Sequence, residues 1–484
     1  MVENDSAAGP HPVAPSNAED NTPQSLSGDV GEKPATFSPS PSIRGGDLVS
    51  PDDLEGQPTP NPARAGEETV AGLPHSGQDG DLGHSVIQRW CRPRGNIPRL
   101  AFAFLSFFIA GMNDAALGAL LPYLEEYYGL NYTTVSLIFL TPFVGYSVAA
   151  FTNARIHLRW GQRGIAVMAP FCHVVAFAIV SIHPPFPALV ILYGLSGFGN
   201  GLTDAAYCAW VGVMDKSNQI QGFMHSSYSV GALCAPLIST SMVVHSGLPW
   251  YTYFYIMIGM AVVEWVGLVT TFWRKTGAVY RAEHPREEGS TGAGTREALR
   301  SKVTWLGAIF FFTYMGVEVG LGGWVVTFML RVRNAGKFAA GATGSGFWAG
   351  QAAGRMALGF VTERYGERVT IAVYVAASVA LQLVFWLVPQ FVVSAVAAAL
   401  LGFFLGPMFP GAINLTAKLL PKHIHVSAMG FAMSLGGTGG TVFPFVIGAI
   451  ANARGVWVMQ PFILSLLVII AITWFFYPRV PGGK

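Results

Sequence analysis

The chain has 484 residues, of which 51% are hydrophobic and only 12% charged, with 12 tryptophans. That balance is far too apolar for a soluble domain of this length and puts the chain in a membrane. The formal net charge of +2 gives no electrostatic basis for holding nucleic acid.

Residues 1–95 differ in kind from the rest. Pro, Gly, Ser, Asp and Glu dominate, aromatics are nearly absent, and no apolar period can be traced. Such a segment cannot bury enough surface to fold, so a disordered N-terminal tail is expected. It lacks the basic start and apolar run of a signal peptide. It ends in a basic flank, Arg89, Arg92, Arg94 and Arg99, which argues for a cytoplasmic N-terminus. Ser38-Pro39, Ser40-Pro41, Ser50-Pro51 and Thr59-Pro60 are either proline-directed phosphorylation sites or ordinary products of a Pro/Ser-rich composition.

From residue 98 onward, apolar runs of about 20 residues alternate with short polar breaks, the length a helix needs to cross a bilayer. About twelve can be counted, near 98–122, 132–152, 164–183, 187–213, 221–244, 250–273, 303–330, 342–361, 369–388, 391–416, 426–450 and 456–477. The pattern predicts an all-α membrane protein of twelve transmembrane helices in two pseudo-symmetric six-helix bundles, 96–274 and 303–478. A polar linker, 275–302, joins them, and 479–484 form a short C-terminal tail. Arg155, Arg159, Arg163, Lys216, the stretch from Arg274 to Lys302, Arg364, Arg368, Lys418, Lys422 and Arg479 fall on one side. The other side has mainly Arg331, Arg333, Lys337 and Arg454, so both termini are expected to be cytoplasmic. The plasma membrane is the default location. Asn131-Tyr132-Thr133 is a glycosylation sequon on the outer side, in a loop short enough that it is expected to stay unused.

The two halves repeat one another. Asn113-Asp114 with Gly118 in the first long apolar stretch matches Val317-Glu318 with Gly322 in the seventh. Arg159-Trp160-Gly161-Gln162-Arg163 matches Arg364-Tyr365-Gly366-Glu367-Arg368, and Gly222-Phe223 ahead of Pro236 matches Gly430-Phe431 ahead of Pro444. Independent matches at similar offsets indicate a duplicated six-helix unit. Parallel repeats of this kind suit a carrier that rocks two halves about a midplane site.

These residues resemble the major facilitator superfamily. Gly359, Glu363, Arg364, Gly366 and Arg368 stand at the spacing of its signature loop. The resemblance implies that Glu363, Arg364 and Arg368 gate the cytoplasmic side. Arg159 and Arg163 are what remains of the first-half copy, in which Leu158 replaces the acid. Asn113-Asp114, the Gly-rich fourth helix with Asn200 and Asp204, and Glu318 with Gly322-Gly323-Trp324 are similar to the fucose-proton symporter branch and its fungal relatives. The arginine usual in the fourth helix of drug-proton antiporters is absent. Gly222, Gly231 and Ala235-Pro236 only partly mimic the antiporter signature and read as a bending element.

A carboxylate in a membrane-spanning run is costly, and such groups mark ion and proton pathways. Asp114, Asp204 and Glu318 are therefore the expected proton-coupling residues. Asn113 and Asn200 are expected to meet substrate, as are Trp324, Trp348 and Gln351, because ring faces stack on a sugar while amides bond its hydroxyls. His225, Tyr228 and Asn414 are weaker candidates for the same cavity, or ties between helices. Glu264 is a further acid with no repeat partner and no assigned role. The four cysteines, Cys91, Cys172, Cys208 and Cys234, form no disulfide framework or metal pattern and read as packing residues. No nucleophile-base-acid set, phosphate loop or metal spacing is visible, so neither enzymatic activity nor a cofactor is expected.

The expectation is a monomeric secondary transporter working by alternating access, a proton symporter for a monosaccharide or similar polar solute. The alternatives are proton-driven efflux of drugs or metabolites and a non-transporting nutrient sensor that signals through its tail.

Overall fold

A lipid interior has no water to satisfy backbone amides, so each apolar run can cross it only as a helix. The computed structural model describes residues 89–283, 291–421 and 424–479, and helices are what those runs form. Most of the expected tail with its Ser-Pro pairs, residues 284–290 of the linker, Lys422 and residues 480–484 lie outside the described residues.

The first half comprises α1 (Asn96–Tyr128), α2 (Tyr132–Trp160), α3 (Gln162–Val180), α4 (Phe186–Gly212), α5 (Ser217–Val244) and α6 (Tyr253–Phe272). The second comprises α7 (Lys302–Arg331), α8 (Lys337–Tyr365), α9 (Glu367–Leu387), α10 (Phe391–Leu419), α11 (His425–Arg454) and α12 (Met459–Phe475). Eleven of these segments are long and apolar enough to cross a membrane on composition alone; α8, the twelfth, is 29 residues long but is diluted by glycines and Arg355. At 1.5 Å per residue it still spans about 43 Å, more than the ~30 Å of a hydrocarbon core.

Local chemistry explains the element ends. Asn131 Oδ1 accepts from the Thr134 backbone N–H at 2.8 Å and so caps the start of α2. The α10 segment is broken where Gly406 and Pro407 separate Phe391–Leu405 from Met408–Leu419. Phe151, Phe360 and Phe475 are among the most exposed large side chains, a surface that only lipid satisfies.

The duplication is visible in the packing. Small residues let equivalent helix pairs touch backbone to backbone in both halves. A Cβ on Gly111 of α1 would sit 1.9 Å from the Tyr228 carbonyl oxygen of α5, and one on Gly439 of α11 would sit 1.9 Å from that of Phe312 of α7. A Cβ on Gly145 of α2 would lie 2.1 Å from the Gly194 oxygen of α4, and one on Gly350 of α8 would lie 1.9 Å from that of Ala399 of α10. Buried polar pairs also recur: His173 with Glu264 joins α3 to α6, and Gln382 with Gln460 joins α9 to α12. The second pair joins the equivalent helices at a different level, since Gln460 is the second residue of α12 and Glu264 the twelfth of α6.

The halves meet along α1 with α7 and α5 with α8, and where α11 touches the start of α2. Toward the end where α1 passes into α2, contacts across the halves are numerous. Arg331 reaches Glu125 at 3.5 Å, Lys337 lies over the Tyr123 ring, His245 meets Phe338 edge-on, and a Cβ on Gly118 would collide with the Gly322 carbonyl.

The linker adds two short helices, Gly277–Glu283 and Thr291–Arg300. The first docks on the turn between α2 and α3. Arg163 N–H donates to the Lys275 carbonyl at 3.0 Å, and the Arg281 guanidinium donates to the Leu158 carbonyl.

Candidate functional site

Asp114 lies in the middle of α1, held against α5 by the Gly111 contact. Its Oδ1 accepts from Asn113 Nδ2 at 3.0 Å and its Oδ2 from the Tyr228 hydroxyl at 3.0 Å. Behind it, the Tyr253 hydroxyl donates to the Met112 carbonyl at 3.1 Å and fixes α1 against α6. Both side-chain donors to Asp114 are neutral, so its charge has hydrogen-bond partners and no salt bridge. The Tyr228 ring meets Trp348 of α8 nearly edge-on, with centroids 6.3 Å apart. The first-half acid is thereby one ring away from the second half.

On the other side of this contact, Glu318 of α7 is buried and pairs with Arg355 of α8 at 3.2 Å. The same guanidinium donates to Ser229 Oγ at 2.5 Å and to the His225 carbonyl at 3.3 Å, both on α5, and to the Gly406 carbonyl at 3.4 Å. The Tyr314 hydroxyl donates to the Leu405 carbonyl at 3.1 Å and lies within reach of Glu318 and Arg355. Arg355 thus matches the charge of Glu318 and at the same time ties the second half to the first.

Trp348, Gln351 and Arg355 follow one another at helical spacing along one face of α8. On this face Trp348 Nε1 and both amide atoms of Gln351 are buried with no partner among the described residues, as are Asn113 Oδ1 on α1 and Asn200 Nδ2 on α4. Buried polar groups are nearly always satisfied, so these orphaned donors and acceptors are candidates to bond a polar solute.

The signature-loop residues stand at the opposite end of the molecule from the α1–α2 turn. Glu363 and Arg364 are exposed, and no ion pair to either occurs among the described residues. Arg364 lies over the Tyr365 ring, and Arg368 donates to the Tyr477 carbonyl within its own half. In the first-half copy, Arg159 lies over the Trp160 ring and Arg163 over that of Trp273. The linker helix, through Arg281, binds the backbone at Leu158, where the acid is missing. The charges of this loop make no contact across the two halves among the described residues.

The family model described as Major Facilitator Superfamily matches residues 103–343 and 333–484. The chain belongs to that superfamily. As a member it is a multi-pass membrane transporter of small molecules. It is 29% identical over 409 residues to Bypass of stop codon protein 6 of Saccharomyces cerevisiae, covering 78% of this chain and 82% of that protein. It is 21% identical over 375 residues to the glucose/mannose transporter GlcP of Bacillus subtilis, covering 76% and 92%. Among solved structures it resembles FucP in the outward conformation, with TM-score 0.55, 15% identity and coverage of 79% of this chain and 99% of that one. It also resembles a bacterial homologue of the human lysosomal transporter Spinster, with TM-score 0.60, 12% identity and coverage of 79% and 96%. These structural likenesses establish the facilitator fold.

Within that fold the expected residues separate into groups. Asp114, Asn113, Tyr228 and Trp348 form one connected set, and Glu318 with the backbone of His225 forms a second, joined through Arg355, whose helix also carries Trp348. Gln351 lies between Trp348 and Arg355 on α8. Asp204 lies on α4, where the Cys208 thiol donates to its Oδ1 at 3.4 Å, and it is in electrostatic reach of His225 and of Tyr146, which Asp114 reaches as well. The His225 ring packs edge-on against Phe107. Trp324 is fully buried, its indole N–H is bound to the Pro444 carbonyl at 2.9 Å, and its ring meets Tyr132 and Phe139 of the first half. It packs the closed end between the halves and has no free polar atom for a solute. Asn414 is exposed and joins no part of the cluster. Arg355 was absent from the expected residues. A lone arginine in the glycine- and alanine-rich run of 342–361 was the available signal.

Proposed function

We propose that this transporter is a symporter that couples inward movement of protons to uptake of a monosaccharide or similar polyhydroxy solute. The observation that carries this reading is the neutral-bonded carboxylate of Asp114 together with the unpartnered Asn113 Oδ1, Gln351 amide and Trp348 indole N–H. Asp114 is the coupling residue, since nothing but neutral donors meets it. Glu318 anchors Arg355. Asn113, Asn200, Trp348 and Gln351 receive the hydroxyls and ring face of the solute, with Tyr228 reporting occupancy to Asp114. The similarity to the glucose/mannose transporter GlcP supports the sugar class.

In this reading the basic loops face the cytoplasm. The α1–α2 end is then the outer side, and the structure is the state closed outward and open inward, with the Glu363-Arg364-Arg368 loop unlatched. Return to the outward state would part α5 from α8, breaking the bonds of Arg355 to Ser229 and His225, and would bring that loop into cross-half contact. The test is accumulation of labelled sugars and polyols by proteoliposomes with an acid exterior and an inside-negative potential. Gradient-dependent accumulation is expected. Gradient-driven extrusion of apolar compounds with no sugar uptake would establish the efflux alternative.

A further inference from the structure

The His173–Glu264 pair is not used by the site described above. His173 Nδ1 and Glu264 Oε2 are 3.0 Å apart, and both side chains are within 1% of complete burial. Phe177 stacks on the imidazole, with centroids 5.8 Å apart. The remaining atoms of the pair, His173 Nε2 and Glu264 Oε1, have no partner. Nε2 faces the glycine-rich stretch of α4, where a Cβ on Gly199 would lie 2.6 Å from it. Two further orphaned groups belong to that helix, Asn200 Nδ2 and the Tyr207 hydroxyl.

The second half provides an internal comparison. Between α9 and α12, Gln382 Nε2 donates to Gln460 Oε1 at 2.6 Å, buried to the same degree. A neutral amide pair therefore suffices to tie these two helices together. Tethering alone does not account for an imidazole and a carboxylate in the first half, because buried ionisable pairs are commonly no more stabilising than neutral replacements. What the pair has and the amides lack is the capacity to hold a mobile proton.

We propose that His173 and Glu264 form a second proton-binding site, which exchanges protons with Asp114 during the transport cycle. With one shared proton the pair is neutral, as imidazolium with carboxylate or imidazole with carboxylic acid. A second proton makes it cationic, and ionised Asp114 on α1 offsets that charge. A proton can then pass from Asp114 to the pair, or back, with no change in the total buried charge of the first half, which avoids the cost of an isolated charge in a low dielectric. The titratable groups in electrostatic reach are Asp114 from α1 and Tyr207 from α4, with Cys172 adjoining on α3. Proton relays of buried acids and histidines are the functional use to which such intramembrane groups are put.

The inference rests on the proton-symport reading, and its test separates the two. The double substitution His173→Gln with Glu264→Gln copies the second-half pair and is expected to fold and to accumulate sugar. The pH midpoint of its uptake is expected to move by about a unit or more, the scale of a changed protonation partner. In the full-length protein, the infrared carboxyl signal that responds to pH is expected to lose one component in Glu264→Gln alone, a readout independent of transport. An unchanged pH profile in the double variant, or an infrared response identical in Glu264→Gln and wild type, would overturn the relay. If wild type showed no proton-driven accumulation, the symport reading itself would fail, whatever the pair does; if Asp114→Asn retained that accumulation in full, Asp114 would not be the exchange partner and the relay would be overturned.

Discussion

Replacing Arg355 with methionine leaves Glu318 without its partner in a site where the carboxylate is 6% exposed and the guanidinium 12%. Removing one member of a buried pair costs about 3–5 kcal/mol, since the remaining charge is desolvated and uncompensated. Replacing both members with neutral groups of similar size is near neutral, because the large desolvation cost is removed along with the attraction. Arg355→Met is therefore expected to lose several kcal/mol, and Arg355→Met with Glu318→Gln to recover at least about 2 kcal/mol of that loss. The assay is reversible unfolding of purified protein in mixed micelles, comparing wild type, both single variants and the double. A double variant no more stable than Arg355→Met would refute the assignment of Arg355 as the counter-charge of Glu318. It would shift the weight of Arg355 to its contacts with Ser229 and His225.

Gly350→Ala should drive α8 away from the Ala399 carbonyl and cost about 1–3 kcal/mol, whereas Gly359→Ala, with nothing within 4 Å of its Cβ, should be silent. Thermal unfolding of the two variants side by side checks this. Gln351→Leu should raise the KM for solute by about tenfold or more, through the loss of one or two hydrogen bonds, without lowering thermal stability, since neither amide atom has a protein partner. Transport kinetics with the purified protein measure it. Glu363→Gln should slow turnover while leaving solute affinity unchanged, because the loop contacts neither half of the cluster; a change in equilibrium binding of sugar would count against a gating role.

The helices were legible because membrane passage imposes one signal, the long apolar run, and α1 through α12 fall where those runs lie. The symmetry was legible at Asp114 with Glu318 and Pro236 with Pro444, where sequence positions match. It was hidden at His173–Glu264 and Gln382–Gln460, where equivalent helices are joined but at different levels and by different chemistry. Asp114, Tyr228 and Trp348 could be singled out as candidates because an acid, a phenol and an indole each stand out in apolar surroundings. That Trp324 is committed to Pro444 depends on which helix faces which, and a sequence does not carry that directly. Arg355 was overlooked for a related reason. Its importance lies in reaching three elements at once, and only the crossing of α5, α7 and α8 makes that reach possible.

The central claim is that solute and proton move together through Asp114. In weakly buffered proteoliposomes without an imposed gradient, adding the transported sugar outside should raise the external pH as protons enter with it. Wild type should show this alkalinisation in proportion to sugar taken up, and Asp114→Asn should lose it even where residual sugar uptake persists. Sugar entry with no pH change in wild type, or equal alkalinisation in Asp114→Asn, would contradict the account.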